Sequence, residues 1–158
     1  LHRLTEDLYY TYYNIAGHDR QVLVDGAREL LAQIWKMDIN IGIVTGEAEK
    51  IAKLRAEKTT IHGFFKIGAY GEDGKGFDEI VNIAARKAEA ELGISKDSIL
   101  VVGYSPHLIK GAKAAGIHSV GVAGVFTAEE LKDAGADLVI KSIKERGKLI
   151  GFISKGGP

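Results

Sequence analysis

Residues 22–154 predict a three-layer α/β domain built on a mostly parallel sheet. Short apolar runs alternate with segments of helical period. The runs are continuous rather than alternating, as strands covered on both faces require, and the links between elements are short.

The elements follow in order. Ala27, Leu30, Leu31, Ile34 and Met37 fall at i, i+3, i+4 spacing and predict a helix over 26–37. Ile39 to Val44 is a β-branched run closed by Thr45-Gly46, the pattern of a buried strand. Glu47 to Glu57 returns to the helical period through Ile51 and Leu54, and Phe64 to Ala69 is a second strand. Residues 70–76 form a glycine-rich loop, and 78–92 a helix on Ile80, Ile83, Ala84 and Ala88. Ile99 to Val102 is the strongest strand. A helix opens at Pro106 and ends at Gly116, with proline in its first turn and glycine at its end as their backbones favour. Val120 to Val122 is the next strand, Thr127 to Glu130 a capping box opening a short helix, and Leu138 to Ile140 the last strand. Together these predict a Rossmann-like sheet. Ahead of it, residues 4–15 predict a helix carrying Tyr9, Tyr10, Tyr12 and Tyr13, and 17–25 a connector with an extended Val22-Leu23-Val24. Residues 155–158 read as a flexible tail.

Composition narrows the function. The 158 residues are 46% hydrophobic and 27% charged, a balance suited to one folded domain. Lys plus Arg and Asp plus Glu are 21 each, so no basic field exists to hold a nucleic acid. Cysteine is absent, which removes disulfides, thiolate metal sites and thiol nucleophiles. No apolar run approaches the ~18 residues of a membrane span, and the mixed, charged start is unlike a signal peptide. A cytoplasmic protein without nucleic-acid or membrane partners is expected. The chain opens on Leu1 rather than Met, so it reads as a processed or trimmed product.

In a parallel sheet, ligands sit at the C-terminal ends of the strands, here loops 45–47, 70–77, 103–108 and 123–127. Thr45-Gly46 offers a hydroxyl and backbone N–H groups ahead of a helix, a natural cradle for a phosphate or another small anion. Ser105 suits a helix cap better than a nucleophile, since no Gly-x-Ser-x-Gly surrounds it, and His107 suits a solvated first-turn residue. Glu72 and Asp73 read as a solvated turn, without calcium-loop spacing. The five histidines are scattered.

The stretch from Val24 to Ile143 resembles the phosphatase-like core of the haloacid dehalogenase superfamily. Ile41-Gly-Ile-Val-Thr-Gly46 is similar to that family's second motif, with Thr45 as its phosphate-binding hydroxyl. Ile99 to Leu108 is similar to its fourth motif, continued by Ala112 to Val122, and Ala134 to Ile140 to its last strand. The resemblance implies a nucleophilic aspartate on a first strand in a DxDGT pattern. It also implies a second aspartate as acid and base, a basic residue beside the phosphate, and motif-four aspartates holding magnesium. Residues 1–21 would then be a remnant of a helical cap.

The sequence departs from this pattern at its charged parts. DxDGT does not occur, and Asp25, in Val22-Leu-Val-Asp-Gly26, lies at a helix start. Tyr104 and Leu108 stand where motif four has aspartates, Phe77 where relatives place a basic residue, and Val122-Ala-Gly-Val125 is one residue short. Lys66, Lys75 and Lys110 are candidates to replace the missing cation. Three apolar replacements at one mouth suggest a binding surface. The expectation is therefore a non-catalytic domain, natural or re-engineered, without a cofactor. It would bind a protein partner or its own copies through Phe77, Tyr104 and Leu108, with Ser105 and His107 as contributors. The alternative is a magnesium-dependent phosphatase, similar to phosphoglycolate phosphatases, seen without its nucleophile segment. In the resembled fold the missing first strand lies in the middle of the sheet, and its absence would leave two inner strands either paired directly or separated by an open slot.

Overall fold

The structure, a computed structural model, describes residues 23–156. The tyrosine-bearing segment 4–15 and most of the predicted connector lie outside them. Helix α1 spans Ala27–Lys36, strand β1 Ile41–Val44, α2 Glu49–Lys58, β2 Phe65–Ala69 and α3 Phe77–Leu92. Then come β3 Leu100–Gly103, α4 Pro106–Ala114, β4 His118–Val122, α5 Ala128–Asp133, β5 Leu138–Ile140 and α6 Arg146–Ser154. One-turn 3₁₀ segments at His62–Phe64 and Lys96–Ser98 lead into β2 and β3.

Every strand pairing is parallel, and each joins strands consecutive in the chain: β1 with β2, β3 with β4, β4 with β5. The sheet is in two parts, β2-β1 and β3-β4-β5, and β1 and β3 do not pair. Of the two expected arrangements of the sheet middle, direct pairing of the inner strands does not occur.

Alternation along β3 assigns the two faces. Leu100 joins an apolar cluster of Leu30, Val120, Ile140 and Leu149, which α1 and α6 cover. Val101 points oppositely, into a cluster with Val81, Ala85, Leu108 and Ala112 from α3 and α4. A third cluster, Ile109, Leu131 and Ala134, seats α5. Helix α6 has no counterpart in the sequence-based reading. Its signal is weak because apolar residues lie around most of its circumference, yet Leu149 is fully buried and closes the layer over β3–β5.

Helix ends are fixed as the sequence suggests. Thr127 Oγ1 accepts from Glu130 N (3.2 Å) while the Glu130 carboxylate accepts from Thr127 N (2.8 Å), the reciprocal box expected at α5. These bonds from Thr127 backbone and hydroxyl hold the Glu130 carboxyl below its ordinary value of 4.5. A depressed carboxyl contributes stability above its unfolded value and loses it as pH falls through the folded one. The stability gap between wild type and Glu130→Gln, measured by urea titration, should therefore shrink as pH drops from 7 to about 3. A gap independent of pH would contradict the box.

The turns after β1 and β2 are locked together. Gly71 N donates to Glu47 O (2.8 Å), and a side chain on Gly71 would collide with the Gly46 carbonyl. Gly71→Ala should cost about 1–3 kcal/mol, measured by urea unfolding. Gly63→Ala, where nothing stands within 4 Å, should cost less.

Candidate functional site

The C-terminal ends of β1, β2 and β3 place Thr45-Gly46, Tyr70–Gly76 and Gly103–Ser105 at one mouth, as the parallel topology requires. Thr45 extends the β1 ladder by donating its N–H to Ala69 O (3.1 Å). Its hydroxyl accepts from Glu47 N (3.1 Å). That bond uses an oxygen lone pair and leaves the O–H proton to donate outward. Gly46 beside it is exposed.

The two acidic residues of the glycine-rich loop have structural work. Glu72 accepts from Glu49 N at the start of α2 through both carboxylate oxygens (2.9 and 3.1 Å), so a side-chain carboxylate already occupies that helix N-terminus. Asp73 accepts from Tyr70 N (2.8 Å) and faces Lys87 Nζ at 3.5 Å, which donates to Gly68 O (2.8 Å). Asp73 and Lys87 thus pin the loop to α3. Burial pushes the Tyr70 phenol up, so it stays protonated near neutrality. The anion cradle narrows to Thr45-Gly46 itself.

Ser105 caps α4, its Oγ accepting from His107 N (3.2 Å), and His107 is exposed in the first turn. Asp25 sits ahead of α1, exposed, with Lys144 Nζ 2.5 Å from its carboxylate. The Lys144 ammonium holds the Asp25 carboxyl below its usual range. These placements match helix-boundary roles.

The three apolar replacements do not form one exposed surface. Tyr104 is 64% exposed, but Leu108 is only 9% exposed and belongs to the cluster of α3 and α4. Leu108 folds back over Gly103 so closely that a side chain there would overlap it. Phe77 is half-buried, packs against the same cluster, and sets its ring edge over Gly46. Its backbone lies so near Gly111 that an added Cβ would stand 2.7 Å away, which keeps α3 and α4 in close contact. A buried leucine and a ring between two helices are core fillers. The expected patch reduces to Tyr104.

The magnesium ion that the family resemblance implies was tested against the residues present. At motif four a phenol and a buried isobutyl group replace carboxylates. Among the described residues no group of three His, Cys, Asp or Glu could hold a metal. These residues do not fit a magnesium ion. The sequence-based reading placed Phe77 in an exposed patch, whereas it fills space beside α4 and Gly46.

Comparison with known proteins bears on what the mouth does. A family description for haloacid dehalogenase-like hydrolases matches residues 2–122. A Caldanaerobacter subterraneus protein provisionally named pyrophosphatase PpaX is 27% identical over 143 residues, covering 89% of this chain and 64% of its own. A Shigella boydii phosphoglycolate phosphatase is 25% identical over 155 residues, covering 95% and 60%. The chain therefore spans less than two thirds of either relative. A predicted phosphatase from Clostridium acetobutylicum superposes with TM-score 0.77 at 23% identity, over 92% of this chain and 68% of that one. A hydrolase from Pseudomonas syringae superposes with TM-score 0.74 at 20% identity, over 96% and 68%. The fold is theirs. The expectation of a non-catalytic, re-engineered binding domain is corrected: the relatives are named as phosphatases, and they favour the hydrolase reading. No helix among the described residues is long and apolar enough to cross a membrane.

The burial difference within the replaced motif is measurable. Tyr104→Asp should leave stability within about 0.5 kcal/mol. Leu108→Asp places a carboxylate in the core and should cost roughly 3 kcal/mol or more. Equal costs in urea unfolding would mean that Leu108 is not the core residue described.

Proposed function

We propose that this chain, which belongs to the haloacid dehalogenase-like hydrolase family, is the phosphate-holding core of a phosphatase acting on a small phosphorylated compound. The substrate is of the phosphoglycolate or pyrophosphate kind. The observation that carries this reading is the Thr45 turn. A hydroxyl stands at the C-terminal end of a parallel strand, its lone pair engaged by Glu47 N and its proton free to donate. An exposed glycine follows, with no side chain of its own beside the hydroxyl.

In this reading Thr45 Oγ1 donates to a phosphoryl oxygen, and the backbone around Gly46 orients the group. The lock between Gly71 N and Glu47 O keeps the turn from relaxing when the anion arrives. Such preorganisation lets a hydrogen bond aid transfer rather than only binding. A small compound suits the mouth, because Phe77 and Leu108 fill the space beneath it. The aspartate nucleophile of the family pattern is not supplied in DxDGT form by this sequence. The described residues hold the phosphoryl group rather than attack it.

Phosphate release from 2-phosphoglycolate, pyrophosphate and p-nitrophenyl phosphate tests the reading. Thr45→Val, nearly isosteric, should lower kcat/KM by about 10- to 100-fold, the loss of one hydrogen bond to a charged group. No release from any of the three, with no calorimetric binding of inorganic phosphate, would overturn it.

A further inference from the structure

A groove of about 460 Å³ lies beside β2, lined by residues of α2, β2 and α3. Its two helical walls carry the same sequence device. Lys53 and Glu57 stand four residues apart on α2, and Lys87 and Glu91 four apart on α3. Both helices begin at the mouth, where Glu72 caps α2 and Phe77 opens α3 beside Gly46. Both lysines are therefore nearer the mouth, and both glutamates lie about 6 Å further down their helices.

The lysine end holds Tyr70. Its side chain is only 8% exposed, and its hydroxyl lies over Gly68, where an added Cβ would overlap it. That hydroxyl lines the groove and makes no hydrogen bond among the described residues. Lys53 acts on it electrostatically, and Lys87 Nζ donates to Gly68 O beside it (2.8 Å). The glutamate end is short of partners. Neither the Glu57 nor the Glu91 carboxylate takes a hydrogen bond or a salt bridge among the described residues. Each stands in the last turn of its helix, where the helix dipole disfavours an anion. Lys66 sets its ammonium over the Trp35 ring at 5.2 Å instead. Ala56 and Ile67 add apolar wall to the groove.

We propose that this groove binds a small zwitterion of the ω-amino acid class, its carboxylate at Tyr70, Lys53 and Lys87, its ammonium at Glu57 and Glu91, and its methylene chain along the apolar wall. The chemistry selects that occupant. An anion alone would meet lysines that already face Glu49 (2.7 Å) and Asp73 (3.5 Å), and would leave two carboxylates unmet. An amine alone would leave the buried Tyr70 hydroxyl without a partner. A metal ion is unsuited, because among the described residues no three donors converge. A peptide strand laid on β2 would displace Lys87 from the Gly68 carbonyl. A zwitterion serves both ends at once, and four methylenes set its charges about 6 Å apart, the offset that the helices dictate. This inference does not depend on the phosphatase reading.

The test is titration of the whole chain with 5-aminopentanoate, followed by calorimetry and amide NMR. A Kd of about 0.1–1 mM is expected for a ligand of this size. Shifts should appear in the Lys53–Glu57, Gly68–Tyr70 and Lys87–Glu91 amides. Tyr70→Phe, which removes only the hydroxyl, should weaken binding about fivefold or more. Glu57→Gln, at an exposed position that leaves the fold intact, should weaken it about threefold or more. Pentanoate and pentylamine each lack one charge, and glycine lacks the spacing; each should bind about fivefold more weakly or worse. Four results would each overturn the proposal. These are no saturable shift at about 20 mM 5-aminopentanoate, shifts confined to residues outside the groove, equal binding of any of the three analogues, and unchanged affinity in Glu57→Gln. Equal binding of pentanoate would make the groove a plain anion site, and equal binding of pentylamine a plain amine site.

Discussion

A strand inside a sheet needs hydrogen-bond partners along both edges, and among the described residues the inner strands β1 and β3 are each paired along one. From that constraint much of the architecture follows. The α1 and α6 layer and the α3 and α4 layer close over the midline of the sheet with aliphatic side chains.

The same economy governs the mouth. Three turns from different strands converge there, and their geometry is held by short backbone contacts and carboxylates. Glu72 caps α2, Asp73 and Lys87 tie the glycine-rich loop to α3, and Gly71 lets two turns approach until backbone meets backbone. Thr45 spends its N–H and one hydroxyl lone pair on the scaffold and keeps its hydroxyl proton to donate outward. A phosphoryl group would meet a rigid cradle whose surroundings are apolar, so its charge rests on few donors.

The elements were legible because each carries its own period or punctuation. The strands read as uninterrupted aliphatic runs, α4 opened on Pro106, and α5 announced itself through Thr127 and Glu130. Thr45 was legible as a candidate anion ligand from its place at a strand-to-helix turn, where its hydroxyl also accepts from Glu47 N and so serves the turn. Other features were hidden for physical reasons. Helix α6 lacks a polar stripe. Phe77 and Leu108 looked like surface residues because sequence position shows which loop a side chain leaves, not which way it turns; both turn inward. Their replacement of charged residues therefore reflects core filling, not an interface. A chain that lacks the expected carboxylates looked non-catalytic, whereas its relatives argue for hydrolysis.

The sequential pairing of the strands has a consequence for how the chain acquires its shape. No ladder in the described sheet requires distant parts of the chain to find each other: β1 meets β2 across one helix, and β3, β4 and β5 follow suit. Each pairing closes a loop that contains one crossover helix, so each half-sheet forms from a single continuous stretch of chain. What remains is to bring the halves together, and α3 spans them, packing on β1 and β2 and against α4. Assembly thus divides into pairings within each half and one docking step, in which α3 and the apolar cluster shared by Val44 of β1 and Val101 of β3 join the halves.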